Sequence, residues 1–151
     1  MPIYDGSKVR GYLEHLRMGA LMQSRIEEFV DEYQVANGLL PEFIFIENPI
    51  NALGAIDFSN LILLSGTMYV EFSLNQPNRT VTFLNIDMSI NRIIMSGMQQ
   101  LSFSGPFTDN SRLTVQIFRN MDVVGFFEAS GDNCGDLLDM LKRYFIPSIN
   151  G

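Results

Sequence analysis

The only cysteine of the chain, Cys134, lies in the segment GDNCGD, directly before an apolar helical pattern. A helix N-terminus lowers the pKa of a thiol and so favours the reactive thiolate. The neighbouring Asp132 and Asp136 oppose that effect because nearby negative charges raise a thiol pKa, and the sole histidine, His15, is remote in sequence. Asp132 or Asn133 would serve equally well as an N-cap that accepts hydrogen bonds from free amides. We therefore predict a small, buried cysteine in the first helical turn and no catalytic residue.

The chain also has few of the residues and motifs that metal and phosphate sites need. Zinc sites usually take four ligands, drawn largely from cysteine and histidine, and the chain has one of each. Asp132, Asn133 and Asp136 lack the spacing and the closing glutamate of an EF-hand calcium loop. The patterns GxxxxGK[ST], GxGxxG and GxSxG do not occur. The sequence predicts no metal and no cofactor.

Carboxylates in the strand-rich part of the chain leave one enzymatic alternative open. The candidates are Glu47, Asp57, Glu71, Asp87 and Glu128, and they form no recognisable pair of the kind that glycoside hydrolysis uses. We expect most of them at strand ends or facing solvent. An enzyme with a carboxylate-based site is the second alternative for the function.

Composition and charge argue against several classes of protein. With 151 residues, 46% of them apolar and 18% charged, the chain suits one globular domain over residues 1–151. The net charge of −7 and the singly spaced arginines argue against nucleic acid and against an anionic membrane, because both partners need a basic face. One cysteine cannot form an internal disulfide, and we find neither a signal segment nor an apolar run long enough to span a bilayer. We expect a soluble, cytoplasmic protein.

The chain begins with a helical pattern over residues 7–37, which Asn37-Gly38 ends. Ser24 and Glu27 match a capping box that would begin a second helix. The alternative is one long or kinked helix with Gly19 as its only weak point. The sequence leaves both alternatives open.

From residue 42 the apolar period changes to two, which predicts strands. The predicted strands are 42–47, 56–64, 67–75, 79–90, 92–105, 112–120 and 122–130, with a helical turn at 49–55 between the first two. In the third strand, Phe72 shares one face with its apolar neighbours and Tyr69 faces the other way. The apolar set changes parity within 79–90, which predicts a bulge. A last helix follows over 132–145 and ends before Pro147.

This order predicts an α+β fold: an N-terminal helix or pair of helices, a curved antiparallel β-meander of about six or seven strands, and a C-terminal capping helix. Several strands are apolar on both faces, as at Ile93-Ile94 and Phe126-Phe127, so the terminal helices or another subunit must cover both sides. The outline is similar to a pleckstrin-homology-like barrel, although the basic phosphoinositide loop of that family is not seen. Such an architectural likeness does not fix a function.

Two further features concern partners. The first is an acidic cluster, which is either a solvated helix face or a landing site for a basic partner: Glu27, Glu28, Asp31 and Glu32. The second is the high methionine content, nine residues of 151. Met95 and Met98 fall in a predicted strand, where they either fill the core or form an adaptable binding surface.

The leading hypothesis is therefore a non-enzymatic protein-interaction module: a small cytoplasmic adaptor, inhibitor or assembly subunit. Such a protein would self-associate as a homo-oligomer, and the acidic cluster favours a basic protein partner. The first alternative is a small-molecule binding protein, because a curved sheet closed by a helix can enclose an apolar pocket. Tyr69, Phe72 and Phe103 are the residues expected to line such a pocket.

Overall fold

The computed structural model describes residues 6–38, 40–50, 53–66, 68–74, 81–85, 90–97, 107–109 and 111–146. The helices in these ranges are α1 (Gly6–His15), α2 (Ala20–Asn37) and α3 (Asn133–Met140), the last continued by a π-helical turn at Leu141–Phe145. The strands are β1 (Phe43–Ile46), β2 (Asn60–Ser65), β3 (Met68–Ser73), β4 (Val81–Asn85), β5 (Ile90–Gly97), β6 (Arg112–Arg119) and β7 (Asp122–Ser130). The predicted α+β class, with N-terminal helices, an antiparallel meander and a C-terminal helix, is confirmed.

The N-terminal segment forms two helices that are separated by a tight turn. Arg17 adopts a left-handed conformation with φ of 58°, and Gly19 is the extended N-cap of α2. Ser24 lies inside α2, so the predicted helix start at the capping box is wrong. Leu16 and Met18, on either side of Arg17, are buried, so packing of the turn against the core determines where α1 ends.

The described strands pair as two antiparallel meanders. Sheet 1 has the order β1-β2-β3-β4, and sheet 2 has the order β5-β6-β7. The predicted strand 79–90 is divided between β4 and the first residue of β5, and the register of β4 on β3 is regular, so the bulge predicted there is absent from 81–85. Register shifts occur instead between Ile90 and Arg92 and between Ile117 and Phe118. Ile50 pairs with Ile56 in an isolated antiparallel bridge, and the described residues of 49–55 contain no helical turn.

Sheet 1 is the central layer and is covered on both faces. Helices α1 and α2 pack on one face, against a set that includes Ile44, Leu61 and Phe72. The other face, with Phe45 and Tyr69, packs against sheet 2 and α3. Because both faces are buried, β1 and β2 are continuous apolar runs, FIFI and LILL, and lack the alternation of half-buried strands.

Among the residues that the structure describes, sheet 2 is covered on one face only. Leu113, Val115 and Ile117 of β6 are buried in the core between the sheets, and the residues that alternate with them point away from it. The hairpin predicted between β6 and β7 is confirmed, and Asn120 adopts the left-handed conformation that its turn requires (φ 58°).

Candidate functional site

A groove of about 270 Å³ runs between α1 and α2 beside the chain segment that follows α2. We call it the α1–α2 groove. Its apolar lining residues are Val9, Val30 and Leu40. Its polar lining residues are Arg10, Glu27, Asp31 and Gln34. Val9 and Val30 are buried beneath the groove and Leu40 is partly buried, so the groove has an apolar floor beside two carboxylates.

The structure divides the predicted acidic cluster between different sides of α2. Glu27 and Asp31 are one turn apart and both line the groove. Glu28 and Glu32 are exposed and do not line it. The division follows from helix geometry, because Ile26 and Val30 face the core and fix how α2 is rotated about its axis.

One cation lies among the carboxylates of the groove. Arg10 Nε is 4.0 Å from Glu27 Oε1, and both side chains are about half exposed or more. An exposed ion pair at this distance contributes little to stability, because water screens it. Opening of the pair would therefore cost little free energy.

A buried polar joint connects sheet 1 to the open edge of β7. Glu47 directly follows β1 and is only 4% exposed. Its Oε1 accepts a hydrogen bond from Asn60 Nδ2 (3.1 Å), and its Oε2 accepts one from the backbone N–H of Glu128 (3.2 Å). The next residue, Asn48, continues the joint: its Oδ1 accepts from the backbone N–H of Ser130 (3.0 Å), and its carbonyl accepts from Ser130 Oγ (2.6 Å).

Asn133, the first residue of α3, makes further hydrogen bonds at the same joint. Its Nδ2 donates to the carbonyl of Ile46 (2.6 Å) and to Asn48 Oδ1 (2.9 Å). Its Oδ1 accepts a hydrogen bond from the Tyr12 hydroxyl (2.7 Å), which also accepts one from the backbone N–H of Ile46 (3.1 Å). The side chain of Asn133 thus joins α1, β1 and α3, whereas Asp132 is the N-cap of α3 without a side-chain capping bond.

The sequence shows no recognisable pair among five carboxylates of the strand region. Three of them, Glu47, Glu71 and Glu128, lie close together at this joint. The pKa of Glu47 is raised to about 7, chiefly by burial; the hydrogen bonds from Asn60 and the Glu128 amide lower the pKa, and the charges of Glu71 and Glu128 raise it. Tyr69 donates to Glu71 Oε1 (2.7 Å), and burial raises the pKa of its hydroxyl well above the ordinary value.

The chemistry open to Glu47 is restricted by its partners. Both oxygens accept hydrogen bonds, one from Asn60 in β2 of the same sheet and one from the backbone N–H of Glu128 in sheet 2, so proton transfer to a substrate would compete with the fold. The signal in the sequence is the polar pair Glu47-Asn48 directly after a fully apolar strand. It shows that a polar group lies at the end of a buried strand, but not that β7, some 80 residues later, is its partner.

Cys134 lies in the first turn of α3 and is completely buried, as predicted. Its Sγ lies 3.5 Å from the carbonyl of Ala129. Burial raises the pKa of the thiol to about 11, and the charge of Asp132 raises it too. His15 lies close enough to Asp136 for its charge to lower the pKa of that carboxyl, although burial raises the same pKa to about 6.

The residues predicted to line an apolar pocket are not brought together. Tyr69 faces the core between the sheets, whereas Phe72 faces the helices and stacks on Phe29 with ring centroids 4.5 Å apart. The two side chains are on opposite faces of β3 and cannot line one cavity. Phe103 lies outside the described residues. So does Met98, while Met95 is partly buried and packs against the core between the sheets.

The described residues contain no group of three or more histidine, cysteine, aspartate or glutamate side chains that could hold a metal ion. Among the described helices, none has both the length and the apolar content that a bilayer crossing needs. No protein-family model, curated protein or solved structure matches the chain. The likeness to a pleckstrin-homology-like barrel thus remains one of outline.

Proposed function

We propose that the protein is a non-enzymatic interaction module that binds a basic, partly apolar segment of a protein partner in the α1–α2 groove. The observation that carries this proposal is the placement of Glu27 and Asp31 beside the apolar residues Val9, Val30 and Leu40. A segment with one apolar anchor and a neighbouring lysine or arginine would match both parts of the groove. Charge complementarity of this kind speeds association and selects partners.

The non-enzymatic part of the proposal is supported by the two groups that the sequence offers for chemistry. The Cys134 thiol is buried and its pKa is raised, which disfavours the thiolate that a nucleophile needs. The Glu47 carboxyl is occupied by two hydrogen bonds, of which the one from Glu128 joins the sheets. We further propose that the protein acts in the cytoplasm as an adaptor, inhibitor or assembly subunit, and that it self-associates through a different surface.

The acidic cluster has two residues inside the groove and two outside it, so a matched pair of double variants tests whether the groove binds the partner. Glu27→Lys with Asp31→Lys reverses the two charges in the groove, and Glu28→Lys with Glu32→Lys makes the same change in net charge outside it. The probe is a labelled peptide of alternating lysine and leucine pairs, and binding is followed by fluorescence anisotropy at moderate ionic strength. We expect at least a tenfold loss of affinity for the groove variant and a much smaller loss for the other.

Two results would contradict the proposal. One is equal weakening by both double variants, which would mean that net charge alone attracts the peptide. The other is failure of the unmodified protein to prefer the basic peptide over its glutamate counterpart. Thermal melting of each variant confirms that the fold is intact, since exposed charge reversals are expected to change stability little.

A further inference from the structure

The outer face of sheet 2 is built from three rows of side chains that alternate with the buried residues of the same strands. The rows across β5, β6 and β7 are Arg92–Phe118–Val123, Ile94–Gln116–Phe126 and Ser96–Thr114–Glu128. The intervening residues, among them Ile93 and Phe127, pack into the core. We call these nine residues the outer face.

Apolar side chains on the outer face are unusually accessible. Phe126 is 47% exposed, Val123 is 51% exposed and Ile94 is 39% exposed. These values contrast with the complete burial of equivalent apolar residues in β1 and β2. Phe118, on the same face, is only 9% exposed because Arg92 covers its ring. Exposed apolar residues framed by polar ones are typical of a protein interface.

We propose that the outer face binds the same face of a second copy of this chain, which gives a two-fold symmetric dimer. This inference rests on the self-association included in the proposed function and is independent of the groove. A symmetric dimer requires a surface that is complementary to itself. The uncharged positions meet this need, because a two-fold axis along the Val123–Gln116–Ser96 diagonal places Phe126 against Phe118 of the second copy and Ile94 against its Thr114.

The charges of the outer face are also self-complementary. Arg92 and Glu128 lie at diagonally opposite corners around Gln116. A two-fold axis along the other diagonal brings each Arg92 to the second copy's Glu128, and the two sheets then pack at a large angle, as orthogonal sheet packing allows. A face with charges of one sign would repel its own copy.

The surroundings of Glu128 leave room for an incoming arginine. Glu128 lines a cleft of about 310 Å³ together with Ser96, Thr114 and the segment Pro49-Ile50. Arg112 also lines this cleft. It pairs with Ser130 in the row that follows Thr114 and Glu128. Arg92 already stacks over the ring of Phe118, with its Cζ 4.3 Å from the ring centroid, so its side chain is held on the outer face and loses little freedom on binding.

The size of the outer face sets the expected strength of the dimer. Three strands of eight residues or so cover about 14 Å by about 26 Å. This is about 360 Å² on each copy, or about 730 Å² in total, which is below the range of stable specific interfaces and typical of weak, transient contacts. The dimer should therefore form at high protein concentration and dissociate on dilution.

The test is light scattering during size-exclusion chromatography, over a dilution series of the complete protein. We expect Phe126→Glu to weaken the dimer at least tenfold. Leu21→Glu makes the same kind of change at an exposed residue of α2 (90% exposed) and should leave it unchanged. A protein that is monomeric at every concentration, or a dimer that Phe126→Glu does not weaken, would overturn the proposal.

A charge exchange tests the orientation of the two copies. Arg92→Glu and Glu128→Arg should each weaken the dimer, and the double variant should recover most of the loss because both ion pairs form again with reversed signs. A double variant that is weaker than either single variant would overturn the diagonal arrangement. The groove variant, Glu27→Lys with Asp31→Lys, should dimerise normally, and Phe126→Glu should still bind the basic peptide. Failure of one proposal is therefore distinguishable from failure of the other.

Discussion

The carboxylate of Glu47 accepts a hydrogen bond from the backbone N–H of Glu128, 3.2 Å away, and so connects the end of β1 to the open edge of β7. An open strand edge exposes unpaired amides that can pair with another chain. Here Glu47 and Asn48 cover two of those amides with side-chain oxygens. The joint thus connects two sheets that share no strand pairing among the described residues.

The buried carboxyl of Glu47 should make stability depend on pH. Its pKa in the fold, about 7, exceeds the ordinary value of 4.5, so the fold favours the protonated form. The contribution of Glu47 to stability is then fully present below about pH 4.5 and falls as the pH rises from about 4.5 to about 7, by about 3 kcal/mol for a shift of this size. We expect urea denaturation at pH 5 to 8 to show this fall.

Glu47→Gln is the variant that isolates this contribution, because glutamine is neutral at every pH and keeps an acceptor oxygen. We expect its stability to change much less between pH 5 and 8. A smaller fall below pH 6 should remain, since the pKa of Asp136 is also raised, to about 6. The exposed Glu14→Gln is the control and should retain the full pH dependence. An unchanged pH profile in Glu47→Gln would show that the joint does not titrate in this range.

Asn133 should contribute strongly to stability although it is a polar residue in the first turn of a helix. Asn133→Ala removes three hydrogen bonds and leaves the Tyr12 hydroxyl and the Ile46 carbonyl short of a partner in a buried region. We expect a loss of about 3 kcal/mol in the free energy of unfolding. Asn37→Ala is the control, because Asn37 is exposed and makes one bond, to the Tyr33 carbonyl. Equal losses for the two variants would contradict the role of the joint.

The elements were predictable from the sequence wherever local patterns determine them. β1 is buried on both faces and therefore has the continuous apolar run FIFI, whereas β6 is buried on one face and therefore alternates. The start of α2 was not predictable from the sequence. The capping box at Ser24 is locally favourable, whereas burial of Leu16 and Met18 places the turn before Ser24.

The candidate sites depend on contacts between distant residues, and a single sequence holds little information about these. Glu47 and Glu128 are 81 residues apart. The acidic cluster could be recognised as a group, but only the rotation of α2 assigns Glu27 and Asp31 to the groove and Glu28 to solvent. The pairing of Ile94, Gln116 and Phe126 in one row likewise depends on the register of three strands.

The Cys134 thiol should be unreactive in the folded protein. It is fully buried, and its pKa is raised from 9.0 to about 11. A shift of two units lowers the thiolate fraction about a hundredfold at neutral pH. We expect a chromogenic disulfide reagent to label the native protein at least about a hundredfold more slowly than the urea-denatured protein. Rapid labelling of the native protein, at the rate of a free thiol, would contradict a purely structural cysteine.

Two glycines of the N-terminal helices should respond in opposite directions to alanine. Gly38 ends α2 in the left-handed conformation, with φ of 75°, and its N–H donates to the carbonyl of Gln34 (2.8 Å). Gly38→Ala should lower the free energy of unfolding by about 1 kcal/mol, because a Cβ is strained in that conformation even where space is open.

Gly11 is the matched position, because it lies inside α1 and a Cβ attached to it would meet nothing within 4 Å. Gly11→Ala should therefore raise the free energy of unfolding by about 0.5 to 1 kcal/mol, since alanine restricts the unfolded chain and favours the helix. Chemical denaturation of both variants checks the pair. A stabilising Gly38→Ala would contradict the left-handed end of α2, and a destabilising Gly11→Ala would contradict the open surroundings of α1 at that position.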